Sequence, residues 1–135
     1  MLTTAPDNRL YVVVGVIQRQ NGELLIQQRP RGKDCEEQWE FPGGKLEKGE
    51  TPEEALAREL NEELGIIIVQ YRPLTQIAFD YSHARVWLDV FLITGFDGHV
   101  SGAEGQVMRW LGISEIRKLD VLKAVHPILD QLDAN

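Results

Sequence analysis

Apolar residues, many of them β-branched, fill positions 10–17 almost without a polar interruption. A run of this kind predicts a strand that is buried on both faces, as in the middle of a layered α/β domain. Asn21 and Gly22 then give a strong tight-turn signal, and residues 24–28 resume the strand pattern. The chain is therefore expected to open with a β-hairpin, which is followed by a basic loop at residues 29–33.

A helix is predicted between Thr51 and Gly65, because both of its ends carry recognisable signals. Thr51 and Glu54 form a capping box, and Pro52 suits the first helical turn. Gly65 supplies the left-handed residue that commonly ends a helix. The apolar residues recur every four positions and form one stripe that can lie on a core, namely Leu56, Leu60 and Leu64. The helix is expected to run from about Pro52 to Leu64.

The second half of the chain predicts further strands and then a helical end. Strand patterns recur in four segments, residues 66–70, 74–81, 86–96 and 106–111. Turns are expected at 81–85 and 97–98, and a loop of small residues at 101–105. Ser114 can cap a short helix at 115–118. A final helix, bent or restarted at Pro127, should cover the other face of the sheet with the apolar stripe Leu122, Val125, Leu129 and Leu132.

Composition narrows the class of protein. At 135 residues, the chain 1–135 has the length of a single domain. The net charge of −7 argues against a nucleic-acid polymer as partner, because proteins that bind one usually carry a basic surface. No apolar run approaches the length of a membrane span, and residues 1–8 lack the features of a signal peptide. We therefore expect a cytoplasmic protein without a membrane partner, in which the single Cys35 is a spectator.

The predicted helix carries an unusual cluster of carboxylates. Glu59 lies one turn before Glu62 and Glu63, so the three side chains share one arc of the helix. Like charges at this spacing cost roughly 0.2 to 0.5 kcal/mol per pair. The helix dipole also disfavours negative charge in the last turn, by roughly 0.3 to 1 kcal/mol per residue. A solvated acidic helix face is one interpretation, and a cation site is the other.

A hard divalent cation would remove this repulsion, because it neutralises the carboxylates and prefers oxygen ligands. Magnesium fits best, since it is commonly held by one or two carboxylates and keeps waters and substrate phosphates in its shell. Manganese accepts the same oxygen ligands. Arg58 can pair with Glu54 and Glu62, four residues to either side, and so hold the acidic rows in place, although it could equally form an ordinary surface ion pair.

The fixed positions around this cluster resemble the Nudix box. Every fixed position of that box is matched, by Gly44, Glu50, Arg58, Glu59, Leu60, Glu62, Glu63, Gly65 and Ile66. The preceding residues 39–44, Trp-Glu-Phe-Pro-Gly-Gly, are similar to the MutT-type branch. The resemblance implies an α/β fold, specifically an α/β/α sandwich with a mixed β-sheet between helices. It also implies a magnesium-dependent hydrolase that converts a nucleoside triphosphate into the monophosphate and pyrophosphate, with 8-oxo-dGTP among the candidate substrates.

The same resemblance implies roles for individual residues. The metal ions would be held by the Gly43 carbonyl with Glu59, Glu62, Glu63 and Glu104, and either Glu59 or Glu104 would accept the proton of the attacking water. The substrate would contact Arg29, Glu40, Phe41, Pro42, Gly43 and Val125. Gly44 and Arg58 would support the site, and Glu50 would be a loop anchor or a further ligand.

Three positions carry further expectations about the nucleotide. Val125 stands where the MutT protein has an asparagine that reads the damaged purine, which weakens the expectation of strict oxidised-guanine recognition. A basic residue in the 81–85 turn, His83 or Arg85, is a candidate for nucleotide contact, although a histidine in such a turn is more often solvated. Trp39 packs either on the base or on the core, with the core favoured.

Other functions stay open at this point. Within the family, the rivals are pyrophosphatases of dinucleotides or nucleotide sugars, but a compact nucleotide is favoured because longer marker sequences are missing. A nucleotide-sensing module would have lost part of the carboxylate set, which is complete here. A structural cation site would stabilise the fold without releasing phosphate. A small-molecule nucleoside polyphosphate is the expected partner, and the chain is expected to be a monomer or a homodimer.

Overall fold

The first strand lies in the interior of a four-stranded mixed sheet. In the computed structural model, which describes residues 4–133, strand β1 (Leu10–Ile17) pairs antiparallel with β4 (Gly43–Lys45). On its other side β1 pairs in parallel with β6 (Arg85–Asp97) along its whole length. Strand β5 (Ile67–Asp80) completes the order β4-β1-β6-β5. The expected double-sided burial of the first strand is therefore confirmed. Residues 1–3 of the N-terminal segment lie outside the described chain.

A second, antiparallel sheet consists of β3 (Trp39–Glu40), β2 (Leu24–Gln28) and β7 (Met108–Leu111), in that order. The predicted hairpin of the first two strands is wrong. The tight turn exists, because the Gly22 N–H donates to the Arg19 carbonyl at 3.0 Å. Pairing, however, stops at one bridge between Gln18 and Leu24. Both edges of β1 are already occupied by β4 and β6, so β2 turns into the other sheet.

The helices lie on opposite faces of these sheets. Helix α1 (Pro52–Leu64) packs on one face, in a core cluster that contains Val13, Leu25, Leu56, Leu60, Leu64, Phe91 and Ile93. Helices α2 (Ile113–Ile116) and α3 (Val125–Asp133) pack on the other, in a cluster with Val14, Val16, Ile26, Val90, Ile116, Val125, Ile128 and Leu129. Alternate residues of a strand point to opposite faces, which explains why β1, β2 and β6 contribute to both clusters. The expected arrangement of a mixed sheet between helices is confirmed.

Both predicted ends of α1 are confirmed. The Thr51 hydroxyl accepts a hydrogen bond from the Glu54 N–H at 3.2 Å, and the Glu54 carboxylate accepts one from the Thr51 N–H at 2.9 Å. Gly65 adopts φ 71° and ψ 25°, the left-handed conformation, and its N–H donates to the Asn61 carbonyl at 2.9 Å. The helix end therefore depends on a backbone geometry that favours glycine.

Three other parts of the chain differ from the prediction. Residues 67–80 form one strand rather than two, because the pairing of β5 with β6 continues across irregularities at Gln70 and Pro73. Proline is tolerated there because β5 is the edge strand of its sheet. Strand β7 begins at Met108 rather than at residue 106. Residues 39–45, to which the sequence pattern assigned no element, contribute the short strands β3 and β4.

The helical end also differs in detail. Helix α2 follows Gly112 rather than Ser114, and the Glu115 carboxylate accepts a hydrogen bond from the Gly112 N–H at 3.1 Å. Helix α3 begins at Val125 and contains Pro127 in its first turn, where a missing N–H costs little, so the helix is not interrupted at the proline. Leu122 precedes the helix instead of belonging to its stripe. None of the helices within residues 4–133 is long and apolar enough to span a bilayer.

Replacing Gly65 with alanine tests the left-handed end of α1. A Cβ at this position meets only the Ser101 hydroxyl at 3.5 Å, so the cost is conformational rather than steric. We expect Gly65→Ala to lower the free energy of unfolding by about 1 to 2 kcal/mol, measured by urea denaturation. Gly65→Asn is the control and should lose less, because asparagine tolerates this conformation better. Equal midpoints for the wild type and both variants would contradict the assignment.

Candidate active site

The loop between β6 and β7 docks on the C-terminal end of α1. The last carbonyls of a helix have no partner within the helix. Here the Ser101 N–H donates to the Leu64 carbonyl at 3.0 Å, and the Ala103 N–H donates to the Glu63 carbonyl at 3.1 Å. These bonds place Glu104 beside the acidic turn of the helix. Its role in the site, which the resemblance implies, stays a prediction.

Glu63 is the most constrained carboxylate of the cluster. It is 8% exposed, and its Oε1 accepts a hydrogen bond from Gln27 Nε2 at 3.3 Å. Its Oε2 is buried and has no hydrogen-bond partner among the described residues. Burial raises the pKa of Glu63 from 4.5 to about 8, and the negative charges of Glu59, Glu104 and Glu40 add to this rise. A buried acceptor without a donor is costly, so this oxygen is suited to a cation.

Glu59 lies against the glycine bend of β4. A Cβ on Gly44 would overlap the Glu59 carboxylate, so only glycine leaves room for it there. Arg58 Nη1 donates to Glu59 Oε1 at 2.9 Å. The pKa of Glu59 is nevertheless raised, because burial outweighs the stabilising contact with Arg58. The carboxylate thus occupies a confined place between the helix and the strand.

Arg58 and Glu50 form the anchor of the loop before α1. The guanidinium donates to both Glu50 oxygens, at 2.7 and 3.0 Å, and to the Lys45 carbonyl at 3.1 Å. Glu50 also accepts from the Glu47 N–H at 2.9 Å. Hydrogen bonds from Arg58 lower the pKa of Glu50, and the same contacts raise the pKa of Arg58. Of the two roles expected for Glu50, its contacts match that of the loop anchor.

The expected partners of Arg58 are only partly correct. Arg58 lies 3.5 Å from Glu62, as predicted. The predicted pair with Glu54 is wrong, because the Glu54 carboxylate is engaged by the Thr51 N–H in the capping box. Glu62 keeps a side chain that is 57% exposed, unlike Glu59, whose side chain is 17% exposed.

The chemistry of the predicted ligands suits a hard divalent cation. All of the predicted side-chain ligands are carboxylates, and Glu63 offers a buried oxygen without a partner. Across residues 4–133, no group of three or more His, Cys, Asp or Glu side chains is already gathered as a ligand set. Arg58 contacts one oxygen each of Glu59 and Glu62, so the second oxygen of each carboxylate is not held by the arginine. Metal binding by Glu59, Glu62, Glu63 and Glu104 stays a prediction.

A polar cleft of about 510 Å³ opens beside Glu63 and Glu104. It is lined by Gln27, Gln28, Arg29, Pro30, Arg31, Lys33, Glu37, Glu40, Glu63, Glu104, Gly105, Gln106 and Val107. Arg29 is fixed in it by the Glu40 carboxylate at 3.2 Å and by the Asp34 carbonyl at 2.7 Å. Its three cationic side chains face an otherwise acidic site, which suits the phosphates of a ligand.

An apolar cleft of about 630 Å³ continues on the α3 side. Its apolar lining includes Val12, Val14, Phe41, Val86, Leu88, Leu122, Val125 and Ile128, and Gly43 and Gly44 border it. Tyr81 and His83 also line it, with stacked rings whose centroids are 5.4 Å apart. The Tyr81 hydroxyl accepts a hydrogen bond from the Ala124 N–H at 3.2 Å, just before α3. The start of α3 is thereby fixed to the β5–β6 turn.

Three residues line both clefts, namely Arg29, Glu40 and Glu63. Glu40 is mostly buried, and burial raises its pKa although Arg29 acts in the opposite direction. A ligand that filled both clefts would therefore pass directly over the most buried carboxylate of the cluster.

The remaining predicted residues lie at the edge of this site or away from it. The Pro42 carbonyl accepts a hydrogen bond from the Gly15 N–H at 2.9 Å, so this residue fixes the strand entering the site. Trp39 packs against the core cluster on the α3 side, as expected. Arg85 lies 3.9 Å from Asp80, near the outer end of the β5–β6 turn.

Sequence reasoning missed Gln27 and Gln106. Gln27 is 7% exposed, and its amide contacts both Glu63 and Gln106. The available signal was a polar residue inside an apolar strand pattern, directly after Leu24, Leu25 and Ile26. A buried amide in such a position needs partners, and here the partners belong to the site.

The chain is similar to proteins of one family over most of its length. A family model described as the NUDIX domain matches residues 13–131. The 8-oxo-dGTP diphosphatase of Escherichia coli K12 is 32% identical over 124 residues, which cover 92% of this chain and 96% of the relative. The CTP pyrophosphohydrolase of the same strain is 33% identical over 119 residues, covering 88% and 87%. A solved MutT structure, from Aliivibrio salmonicida or Vibrio cholerae, has a TM-score of 0.81 at 36% identity and covers 93% of this chain and 98% of that one.

The buried carboxylate of Glu63 predicts a pH dependence of stability in the metal-free protein. Its pKa is about 8 in the folded chain against 4.5 when unfolded, so between these values only the folded state keeps the proton. Stability from this group is therefore present at low pH and is lost as the pH rises towards 8. We expect Glu63→Gln to match the wild type near pH 5 and to exceed it at pH 9 by roughly 1 to 4 kcal/mol.

Urea denaturation in a chelator at both pH values measures this difference. Glu62→Gln is the matched control, since it removes the same charge from an exposed position of the same helix. If Glu63→Gln changes the pH dependence no more than the control does, Glu63 is not buried as described.

Proposed function

This chain belongs to the Nudix family, and on that premise we propose that it hydrolyses nucleoside triphosphates as a MutT-like pyrophosphohydrolase. The products are a nucleoside monophosphate and pyrophosphate. The observation that carries the proposal is the position of Glu63, whose buried carboxylate lies where the polar and apolar clefts meet. A nucleotide with its base in the apolar cleft and its phosphates in the polar cleft would present a phosphoanhydride bond to this carboxylate.

The cation in this proposal is Mg²⁺, with Mn²⁺ as a substitute. Glu59, Glu62, Glu63 and Glu104 would hold it together with the Gly43 carbonyl. When bound, it would neutralise charge on the phosphates and lower the pKa of a coordinated water. The unpartnered Oε2 of Glu63 and the space that Gly44 leaves for the Glu59 carboxylate support this assignment.

The side chains of the polar cleft bind and orient the polyphosphate. Arg29 is already fixed by Glu40 and the Asp34 carbonyl, so little side-chain entropy is lost when it contacts a phosphate. Either Glu59 or Glu104 accepts the proton of the attacking water. Both lie beside Glu63, and each adds to the rise in its pKa. Arg58 keeps Glu59 in place until the ligand and cation arrive.

The apolar cleft binds the nucleobase mainly by stacking and apolar contact. Tyr81 is held by its hydrogen bond with Ala124, and His83 stacks on it with an exposed outer ring. Val125, at the start of α3, contributes an apolar wall. A wall of this kind discriminates weakly between bases, because rejection of a wrong base depends mostly on hydrogen bonds that it would leave unmade.

We therefore expect the base cleft to accept more than one kind of base. The two relatives from Escherichia coli are named for 8-oxo-dGTP and for CTP, and their identities to this chain are nearly equal, 32% and 33%. A purine and a pyrimidine nucleotide are thus both candidates. Dinucleotides and nucleotide sugars are the alternative substrates within the family.

A substrate panel tests the function directly. Pyrophosphate release is measured with Mg²⁺ over normal and oxidised nucleoside triphosphates, dinucleotides and nucleotide sugars. We expect the triphosphates to rank first, and Glu59→Gln and Glu63→Gln each to lower kcat by at least about 100-fold, as loss of a group active in the transition state does. Glu23→Gln, in the exposed turn between β1 and β2, should leave kcat unchanged. Near-normal turnover in both site variants would refute the site.

Removing the imidazole of His83 tests the base subsite separately from the chemistry. Stacking of a base on an aromatic ring contributes about 1 to 3 kcal/mol. We expect His83→Ala to raise KM for nucleoside triphosphates by about 5- to 100-fold with little change in kcat, and His83→Phe to restore it. Ribose 5-triphosphate, which has no base, should be insensitive to both variants. His99→Ala, in the turn that follows β6, is the matched control. An equal rise in KM for the abasic compound would contradict base stacking.

A further inference from the structure

Two glutamine side chains connect Glu63 with the loop that carries Glu104. Gln27 Nε2 donates to Glu63 Oε1 at 3.3 Å, and Gln106 Nε2 donates to Gln27 Oε1 at 3.4 Å. Gln106 Nε2 also donates to the Glu63 carbonyl at 3.2 Å, while its Oε1 accepts from the Glu104 N–H at 3.1 Å. We refer to Gln27 and Gln106, with these four hydrogen bonds, as the amide relay.

The direction of the amide relay is determined by its two ends. The Glu104 N–H at one end can only donate, so Gln106 presents its oxygen to that N–H and its NH₂ group to the Gln27 oxygen. The NH₂ group of Gln27 is then left for Glu63 at the other end. Each amide is thereby used in one orientation only.

The amide relay leaves the two oxygens of Glu63 in different situations. Oε1 is held by Gln27, whereas Oε2 is buried and has no partner among residues 4–133. Without Gln27, the carboxylate could rotate about its terminal torsion, which is broad and roughly two-fold. Without Gln106, the loop would keep its two backbone bonds to α1 but lose the link through Gln27 to the Glu63 carboxylate.

A purely structural role does not account for Gln27, because burying an amide is less favourable than burying an apolar side chain. On β2 it points to the same face as Leu25, which belongs to the core cluster under α1. A leucine at position 27 would extend that apolar surface and remove a buried amide. The presence of glutamine therefore has to be explained by what its amide contacts.

We propose that Gln27 and Gln106 are positioning residues that set Glu63 and Glu104, from two separate elements, to bind one divalent cation. The inference rests on the metal-dependent function proposed above. Side chains that orient metal ligands typically change metal affinity by about 10- to 100-fold when they are removed. Neither glutamine needs to contact the substrate's reacting phosphorus for this role.

The experiment measures Mn²⁺ binding by electron paramagnetic resonance, without substrate, in the full chain. We expect Gln27→Leu and Gln106→Ala each to weaken Mn²⁺ binding by about 10- to 100-fold. The double variant should bind Mn²⁺ at most about 3-fold more weakly than the weaker-binding single variant, because the two amides act as one connected unit. Gln70→Leu, an exposed strand glutamine on β5, is the matched control and should bind like the wild type.

Thermal unfolding in chelator separates positioning from folding. Gln27→Leu should keep or raise the melting temperature of the metal-free protein while losing the stabilisation that Mn²⁺ gives the wild type. Gln106→Ala provides the second test if Gln27→Leu does not fold. Wild-type affinity in the folded variants would overturn the amide relay alone, whereas failure of the wild type to bind Mn²⁺ would also refute the proposed metal-dependent function.

Discussion

The structure of the site depends on how the C-terminal end of α1 satisfies its carbonyl groups. A helix that ends inside a protein leaves acceptors that water cannot reach, and another segment must supply donors. In this chain the donors come from Ser101 and Ala103, in the loop between β6 and β7. The acidic last turn of α1 and a loop far away in sequence are thereby fixed together. The position of Glu104 beside Glu63 is a consequence of backbone hydrogen bonding, not of any attraction between the two carboxylates.

The same end of the helix carries Glu62 and Glu63, although the helix dipole disfavours negative charge in the last turn. The charges of the cluster are restrained by neighbours of different kinds: Arg58 pairs with Glu59, and Gln27 holds one oxygen of Glu63. These contacts keep the carboxylates apart and oriented without neutralising them completely, since the pKa values of Glu59 and Glu63 are both raised. A site of this kind retains a strong demand for positive charge. That demand is what a cation bridging to polyphosphate can meet.

The sequence predicted the parts of the fold that have local causes. The limits of α1 follow from Thr51, Glu54 and Gly65, whose roles depend only on neighbouring residues. The double-sided burial of β1 follows from its continuous apolar run. The hairpin prediction failed because Asn21 and Gly22 specify a turn but not the partners of the strands beside it. Strands β4 and β6 each pair with one edge of β1, so no edge is left for β2.

The candidate site likewise divides into features that the sequence predicts and features that depend on tertiary contacts. The Nudix box identified the carboxylates and their family, because fixed spacing on one helix is a local property. It could not reveal Gln27, whose importance arises only when β2 faces α1, or the two clefts, whose walls come from widely separated segments. The pair expected between Arg58 and Glu54 failed for a local reason, since Glu54 has a second and competing use in the capping box. Local patterns therefore identified the candidate carboxylates, and tertiary contacts determine how these side chains are arranged.

The parallel pairing of β1 with β6 has a consequence for how the molecule is made. Paired residues of the two strands, such as Leu10 and Val86, are 76 positions apart in a chain of 135 residues, and α1 lies between the strands in sequence. Closing so long a loop is slow, because its entropy is lost before the contacts form. A growing polypeptide would present the complete Nudix box well before β6 exists to support it. Chains stalled at that stage would carry the acidic motif on a helix whose core lacks the residues of β6, and would be expected to remain substrates for proteases and chaperones until β6 has left the ribosome.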